Sequence, residues 1–242
     1  MDKEFLYEML KTDSVSGNEI KLQKKILKHY QNVADQQLTD ETGNVIQVIN
    51  PQSPLKILLS GHSDEIGLVI TGITSDGYLK VAQAGGIYPS TYLGHPICVH
   101  TANKEVYGSV VCTRALAKNN DLTSHDLTID IGCSNKEEAQ ELVSIGDTIT
   151  FDTQVRLMAN DKFTARAIDD RGGAFIILEA MKKAKAMGCK NGVYASTSVG
   201  EETTMRGAYF SASRVEPTMA IIVDVTYASD YPGVNPYDSG DV

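Results

Sequence analysis

Short β-rich runs fill the middle of the chain, and segments that mix helix and strand patterns lie on both sides. From about Gly67 to about Asp161, runs such as LVITGI, YLKVAQ and VYGSVVC are separated by turn residues, which is typical of a small β-barrel or sandwich. Apolar spacing outside this block predicts helices as well as strands. We therefore predict an α/β domain, split into residues 1–66 and 162–242, around an inserted β domain at 67–161.

The α/β segments contain several well-marked elements. Ser16-Gly17-Asn18-Glu19 fits a capping box, in which Ser16 and Glu19 exchange hydrogen bonds with backbone amides, and this predicts the start of the second helix. The other predicted elements are strands over 44–49, 56–60 and 192–199, helices over 174–187 and 205–213, and a buried apolar strand over 219–225.

Charge and composition exclude several classes of partner. The chain has 22 basic and 31 acidic residues, a net charge of −9, so it lacks the basic surplus that nucleic acid or an anionic membrane requires. No apolar run approaches the ~20 residues of a membrane helix, and the N-terminus lacks the apolar core of a signal peptide. Four widely spaced cysteines form no CxxC pair, so we expect a reduced, cytoplasmic protein.

Polar residues follow the ends of two predicted strands. His62 and Asp64 come directly after KILLS, and Glu201 and Glu202 come after GVYASTSV and Gly200. Open α/β sheets bind ligands at the carboxyl ends of their strands. A histidine held in a turn and a pair of solvated glutamates are the structural alternatives, whereas the functional interpretation is a metal ligand beside a general base.

Two further segments add carboxylates. Asp169 and Asp170 open a helix in ARAIDDRGG, where capping explains one carboxylate but not the glycines that follow. Asp224 lies inside the apolar run IIVDVT, where an unpaired carboxylate is costly to bury. It must therefore be hydrogen-bonded, ion-paired or bound to a metal. Together, one histidine and several carboxylates supply the ligands that zinc, cobalt or manganese prefer.

The order GHSDEIG, AIDDRGG, GEETTMRGA and VDVT resembles, over the whole chain, a family of dinuclear metallo-aminopeptidases. This family comprises glutamyl aminopeptidase, the tetrahedral aminopeptidases and the so-called cellulase M proteins. The resemblance implies a mixed-sheet α/β metallopeptidase domain of the phosphorylase/hydrolase-like class with an inserted small β-barrel domain. It further implies that the barrel drives assembly into a homo-oligomer, a dodecamer, and that the substrates are peptides with a free N-terminus.

The resemblance also implies roles for individual residues. The implied ligands of two divalent ions, zinc or cobalt and alternatively manganese, are His62, Asp169, Glu202 and Asp224. Asp169 would bridge the two ions, Asp64 would orient the site, and Glu201 would be the general base. The implied reaction is hydrolysis of the N-terminal peptide bond by a metal-bridging water.

The chain departs from the family pattern in three places. Ser63 replaces a hydrophobic residue, and Gly200 and Thr203-Thr204 flank the glutamates, so the substrate preference stays open. The family's last metal ligand is a histidine near the C-terminus, and no histidine follows Asp224. We expect the chain to be C-terminally truncated, with the alternative that one metal lacks a protein ligand. The remaining histidines, for which we expect surface or strand positions, are His29, His95, His100 and His125.

Two other functions stay open at this point. A catalytically incomplete metal-binding or assembly subunit would explain the missing histidine. A glycoside hydrolase, which the cellulase M label suggests, would need two carboxyl groups and no metal, and it usually relies on aromatic platforms that a chain without tryptophan supplies poorly. Arg166 and Arg206 are candidates for binding an acidic substrate side chain, although we expect Arg206 to form a salt bridge at a helix start.

Overall fold

The computed structural model describes residues 2–235, so Met1 and residues 236–242 of the predicted split domain lie outside it. The helices are α1 (Lys3–Lys11), α2 (Ile20–Tyr30), α3 (Lys136–Leu142), α4 (Ile168–Ala186), α5 (Glu201–Thr204) and α6 (Arg206–Val215). The first strands are β1 (Gln36–Thr39), β2 (Val45–Ile49), β3 (Lys56–His62), β4 (Gly67–Ile73), β5 (Leu79–Ala84), β6 (Pro96–His100) and β7 (Glu105–Val110). The later strands are β8 (Thr128–Asp130), β9 (Thr148–Phe151), β10 (Arg156–Leu157), β11 (Phe163–Thr164), β12 (Gly192–Ser198) and β13 (Met219–Ile222).

A mixed sheet with the order β1-β2-β12-β3-β13 forms the centre of the α/β part. Strands β12, β3 and β13 are parallel neighbours, and β2 runs antiparallel to both of its neighbours, β12 and β1. One face packs against α1, α2 and α4, which bury apolar side chains such as Met9, Ile26 and Phe175. Val215 of α6 packs on the other face beside Leu58. The prediction of a mixed α/β fold is confirmed.

Six strands, β4 to β9, close into a separate barrel with the order β4-β5-β8-β7-β6-β9. Strand β9 pairs with both β4 and β6, which closes the cylinder. A barrel this narrow is filled by its own side chains, and here the interior holds residues such as Leu68, Ile97 and Ile149. The predicted β-rich block thus forms a barrel rather than a sandwich.

The Ser16–Glu19 segment does not form a capping box. Helix α2 begins at Ile20, and its N-cap residue Glu19 makes no side-chain cap bond to the helix. The Ser16 hydroxyl instead donates to Asp64, and the Glu19 carboxylate accepts from the amides of Gly17 and Gly200. The capping prediction is wrong because tertiary partners at the end of β3 and β12 compete for the same side chains.

Strand β13 is present but exposed, which corrects the prediction of a buried apolar strand. It pairs with β3, and its residues Met219, Ile221 and Ile222 are exposed in the described part of the chain. An apolar run predicts that a strand can be buried, but it does not say which layer covers it. Within residues 2–235, no helix is both long and apolar enough to cross a membrane.

Candidate metal centre

The parallel strands bring the predicted site residues to one edge of the sheet. His62 is the last residue of β3, Glu201 follows β12, and Asp224 follows β13. Because these three strands are parallel neighbours, their carboxyl ends meet at the same edge. Asp169 reaches this edge from the start of α4.

His62 lies at the centre of the cluster. Its Nε2 atom is 3.1 Å from Asp169 Oδ1, 3.8 Å from Glu201 Oε2 and 4.0 Å from Asp224 Oδ1. Ligand atoms of His62, Asp169 and Glu202 all lie within 4.8 Å of one another. The predicted site residues therefore surround a single imidazole nitrogen.

His62 is buried, whereas the carboxylates around it are partly open to solvent. Only 3% of the His62 side chain is exposed, against 55% for Asp169 and 46% for Asp224. The sequence predicted a buried Asp224 that needs a partner, and this prediction is wrong. Asp224 is exposed because β13 lies at the edge of the sheet. Proximity to His62, and not burial, makes Asp224 a candidate ligand.

Asp64 holds the site together through its carboxylate. Oδ1 accepts the Glu201 amide at 3.0 Å, and Oδ2 accepts the Glu202 amide at 3.1 Å. The Ser16 hydroxyl donates to Oδ2 at 2.5 Å. The Asp64 backbone carbonyl lies 3.1 Å from His62 Nδ1, which leaves Nε2 to face the cluster. A partner of this kind fixes the ring orientation of a metal-binding histidine.

Asp170 lies in the same cluster, although the sequence indicated no role for it beyond the start of a helix. It is completely buried, and its carboxylate accepts the amides of His62 at 3.1 Å and Gly173 at 3.0 Å. A Cβ atom on Gly173 would lie 2.3 Å from Asp170 Oδ1, and one on Gly61 would lie 2.9 Å from Oδ2. These glycines are therefore needed so that the carboxylate can approach the backbone. Asp170 also forms a ligand-type group with His62 and Asp224.

Burial, together with the crowding of carboxylates, raises several pKa values in the cluster. Burial, together with the charge of Asp169, raises the pKa of Glu202 to about 7. Burial, together with the charge of Asp224, likewise raises the pKa of Asp170 to about 7. The pKa of Glu201 is raised by burial and by Asp224. Like charges at close range disfavour ionisation, so positive charge at this place would stabilise the ionised forms.

His62 and Asp64 shift in the directions expected for an ion pair. Burial lowers the pKa of His62, but the carboxylates of Asp169 and Asp64 outweigh it and raise the value to about 11. Burial raises the pKa of Asp64, but hydrogen bonds from His62 and Ser16 outweigh it and hold the value below the ordinary one. The carboxylates around the imidazole would therefore favour a cation at this place.

A buried ion-pair network supports the start of α4. The guanidinium of Arg171 is fully buried and donates to Glu65 Oε1 at 2.5 Å and to the Met9 carbonyl at 2.8 Å. Arg166 donates to the same Glu65 carboxylate. Arg171, which directly follows Asp170, therefore ties the start of α4 to α1 and to the loop after β3.

The two arginines considered for acidic substrates have different surroundings. Arg166 is committed to Glu65 and to the Lys11 carbonyl. Within residues 2–235 the arginines that form ion pairs are Arg166, Arg171 and Arg214, so the salt bridge expected for Arg206 is wrong. Its guanidinium lies against Gly200, where a Cβ atom would be 2.8 Å from Cζ.

The donor set fits divalent metal ions. Imidazole and carboxylate suit zinc, cobalt and manganese, and the side chains here offer one imidazole among several carboxylates within a few ångströms. The carboxylates at this edge are Asp64, Asp169, Asp170, Glu201, Glu202 and Asp224. Divalent cations would balance this excess of negative charge. An α/β sheet with such a cluster at the ends of its strands suits a metal-dependent hydrolase.

Residues 43–241 match the M42 glutamyl aminopeptidase family, and the chain belongs to this family. It is 29% identical to a lysyl aminopeptidase of Pyrococcus furiosus, over 100% of this chain and 70% of the relative. A TET aminopeptidase structure from a marine-sediment Thaumarchaeota archaeon has a TM-score of 0.92 at 30% identity, over 99% of this chain and 69% of that chain. The TET1 peptidase of Pyrococcus horikoshii has a TM-score of 0.85 at 30% identity, over 96% and 71%. The resemblance inferred from the four motifs is confirmed.

Proposed function

We propose that this M42 aminopeptidase cleaves residues from the free N-terminus of peptides at the cluster around His62. The observation that carries the proposal is the position of His62 Nε2, which lies within 4.0 Å of Asp169, Glu201 and Asp224. A buried imidazole with solvent-open carboxylates on one side forms a site that a substrate can reach. Several carboxylates lie around one imidazole, so an ion-pair network would leave most of them without a cationic partner. Such a cluster suits a centre that binds divalent cations for hydrolysis better than an inert ion-pair network.

The proposed ligands of two divalent ions are His62, Asp169, Glu202 and Asp224. We assign the bridging position to Asp169 and not to Asp170, because both oxygens of Asp170 already accept backbone amides. Zinc or cobalt, and alternatively manganese, are the ions that this donor set would take. When bound, such ions lower the pKa of water and polarise a carbonyl oxygen.

Glu201 is the proposed general base. Its Oε2 faces His62 Nε2 at 3.8 Å, and its amide is fixed by Asp64. The raised pKa of Glu201 suits a carboxylate that accepts a proton from the attacking water and then passes it to the departing amine. Asp64 orients both the imidazole and the backbone of the glutamate pair, and it does not touch the substrate in this proposal.

The barrel is proposed as the assembly domain. We assign residues 67–161 to it, and residues 1–66 and 162–242 to the catalytic domain. The Pyrococcus horikoshii TET1 peptidase can assemble into a tetrahedron or a large octahedral shell, and we extend homo-oligomer formation, as a dodecamer, to this chain. The four cysteines are free thiols, which would suit a reducing cytoplasm.

A pair of matched peptides tests the proposed activity. We expect the chain, loaded with zinc or cobalt, to release the first residue of a peptide with a free N-terminus and to leave the N-acetylated peptide intact, as followed by mass spectrometry. Glu201→Gln serves as the inactive control. Cleavage at internal bonds of both peptides, or ion binding without any turnover, would contradict the proposal, and the second result would favour a catalytically incomplete subunit.

A further inference from the structure

A second group of metal-ligand side chains lies on the outside of the barrel. Cys98 and His100 alternate along β6 with Ile97 and Val99, which point into the barrel interior. Successive side chains of a strand point to opposite faces, so Cys98 and His100 share the outer face. Glu105 of β7 is the register partner of His100. A thiol, an imidazole and a carboxylate therefore meet on one face of a two-stranded ladder.

The three side chains are close enough to bind one ion. The distance from Cys98 Sγ to His100 Nδ1 is 3.9 Å, and one ligand atom from each of the three residues lies within 4.8 Å of the others. In a tetrahedral zinc site with bonds of about 2.3 Å to sulfur and about 2.0 Å to nitrogen, these two ligand atoms are separated by about 3.5 Å. A small inward shift of the side chains would therefore complete the geometry.

Neighbouring groups hold two of the candidate ligands in place. The Thr150 hydroxyl lies 2.8 Å from His100 Nε2, which leaves Nδ1 to face the thiol, with Asp13 Oδ1 3.8 Å from the same nitrogen. The Tyr107 hydroxyl donates to Glu105 Oε2 at 2.8 Å. Second-layer hydrogen bonds of this kind fix the orientation of metal ligands. These hydrogen bonds thus partly organise the cluster.

The cluster lines a small cavity that is partly open to solvent. The cavity has a volume of ≈ 40 Å³ and is lined mostly by polar and charged residues, which include Thr150, Asp152 and Arg166. This exceeds the space that a single water needs, so an ion with one water molecule can fit. Cys98 is 5% exposed, and the His100 side chain is 8% exposed. Burial of the thiol and the imidazole limits competition from solvent for these two ligand atoms, whereas Glu105 is exposed.

We propose that Cys98, His100 and Glu105 bind one zinc-class divalent ion, with a water molecule in the fourth position. Thiolate selects zinc or cobalt over magnesium and calcium. Burial and the carboxylates of Glu105 and Asp152 raise the pKa of the Cys98 thiol to about 12. The entering ion therefore displaces the thiol proton to solvent as the sulfur–metal bond forms. The site shares no residue with the cluster around His62, and it is independent of the proposed peptidase function.

Cobalt loading distinguishes this site from the cluster around His62. Only a cysteine ligand produces a thiolate-to-cobalt charge-transfer band in the near ultraviolet, and the His62 cluster contains no cysteine. We expect the full chain loaded with Co²⁺ to show this band. Cys98→Ser should abolish it, and Cys133→Ser should leave it unchanged as a matched cysteine control. Zinc content should fall by one ion per chain in Cys98→Ser.

Two results would overturn the proposal. One is the absence of the band in the wild-type chain, which requires no variant. The other is a band that persists in Cys98→Ser. Glu105→Gln gives a second, independent variant, because Glu105 is exposed and its substitution should not affect folding. We expect Glu105→Gln to keep the band and to weaken Co²⁺ binding at least about tenfold. Unchanged affinity would also contradict the proposal, because Glu105 is one of its three ligands.

Discussion

The Asp64 carboxylate connects the elements of the candidate active site through single hydrogen bonds. It accepts the amides of Glu201 and Glu202 and the hydroxyl of Ser16, and burial makes each of these bonds costly to lose. The position of the glutamate pair relative to His62 therefore depends on one side chain that is itself not a proposed ligand.

Ser16→Ala should weaken metal binding at the His62 cluster. The substitution removes one of the donors that fix Asp64, and loss of such an outer hydrogen bond typically reduces metal affinity by about 10–100-fold. Calorimetric zinc titration measures the effect. Ser75→Ala, at an exposed turn of the barrel, is the control and should bind as the wild type does. Equal affinities for both variants would show that Ser16 does not support the site.

Glu201→Gln should separate catalysis from metal binding. The amide cannot accept a proton, so we expect kcat to fall by about 10²–10⁴-fold while the metal content stays unchanged. Asp169→Asn should instead lose metal. Steady-state kinetics combined with metal analysis of the same samples check both variants. Wild-type turnover in Glu201→Gln would place the general base elsewhere, and full metal content in Asp169→Asn would refute its bridging role.

At the level of secondary-structure elements, Arg171 joins α4 to the loop after β3 through its ion pair with Glu65, and to α1 through a hydrogen bond to the Met9 carbonyl. Both side chains are buried, and Arg166 shares the same carboxylate. Burial of Glu65 raises its pKa, but the charges of Arg171 and Arg166 outweigh this effect and hold the pKa below its ordinary value. The network therefore depends on an ionised Glu65.

Glu65→Gln should destabilise the fold by about 3–5 kcal/mol at neutral pH, because it leaves a buried arginine without its counter-ion. Since the folded-state pKa of Glu65 is lowered, its contribution is present above the ordinary value of about 4.3 and is lost as the pH falls further. The free energies of unfolding of wild type and variant should therefore converge in acid. Denaturant unfolding at several pH values measures this difference.

An exposed pair provides the control for that measurement. Glu41 pairs with Arg214 at 3.3 Å on the surface, and exposed pairs contribute about 0–1 kcal/mol. Glu41→Gln should therefore change stability by less than about 1 kcal/mol at any pH. If Glu65→Gln behaved like Glu41→Gln, the buried network would not hold these elements together.

Local patterns predicted the elements but not the long-range partners. The apolar runs showed where the strands end, and His62, Glu201 and Asp224 lie at or just after those ends. Their place at one edge of the sheet could therefore be predicted from the sequence. The bond from Ser16 to Asp64 spans 48 residues, so it depends on tertiary packing that no local pattern contains. The burial of Asp170 depends in the same way on the approach of two glycines. The exposure of β13 was missed because an apolar run does not reveal what covers it.

At the scale of the whole molecule, the barrel is a separate unit with its own core. If it is the assembly domain, light scattering should give a mass many times the 26.2 kDa of one chain. Cross-linking with mass spectrometry should then place the contacts between copies within residues 67–161. A monomer at all concentrations, or contacts confined to β13 and α6, would contradict this role of the barrel.

The requirement for divalent ions tests the account most directly. The measurement is the rate at which the chain releases the first residue of an unblocked peptide, before chelation, after complete removal of divalent ions, and after their return. If the cluster around His62 is a metal centre for hydrolysis, the rate should fall to background on chelation and recover with zinc, cobalt or manganese. An unchanged rate in the metal-free chain would contradict the central claim.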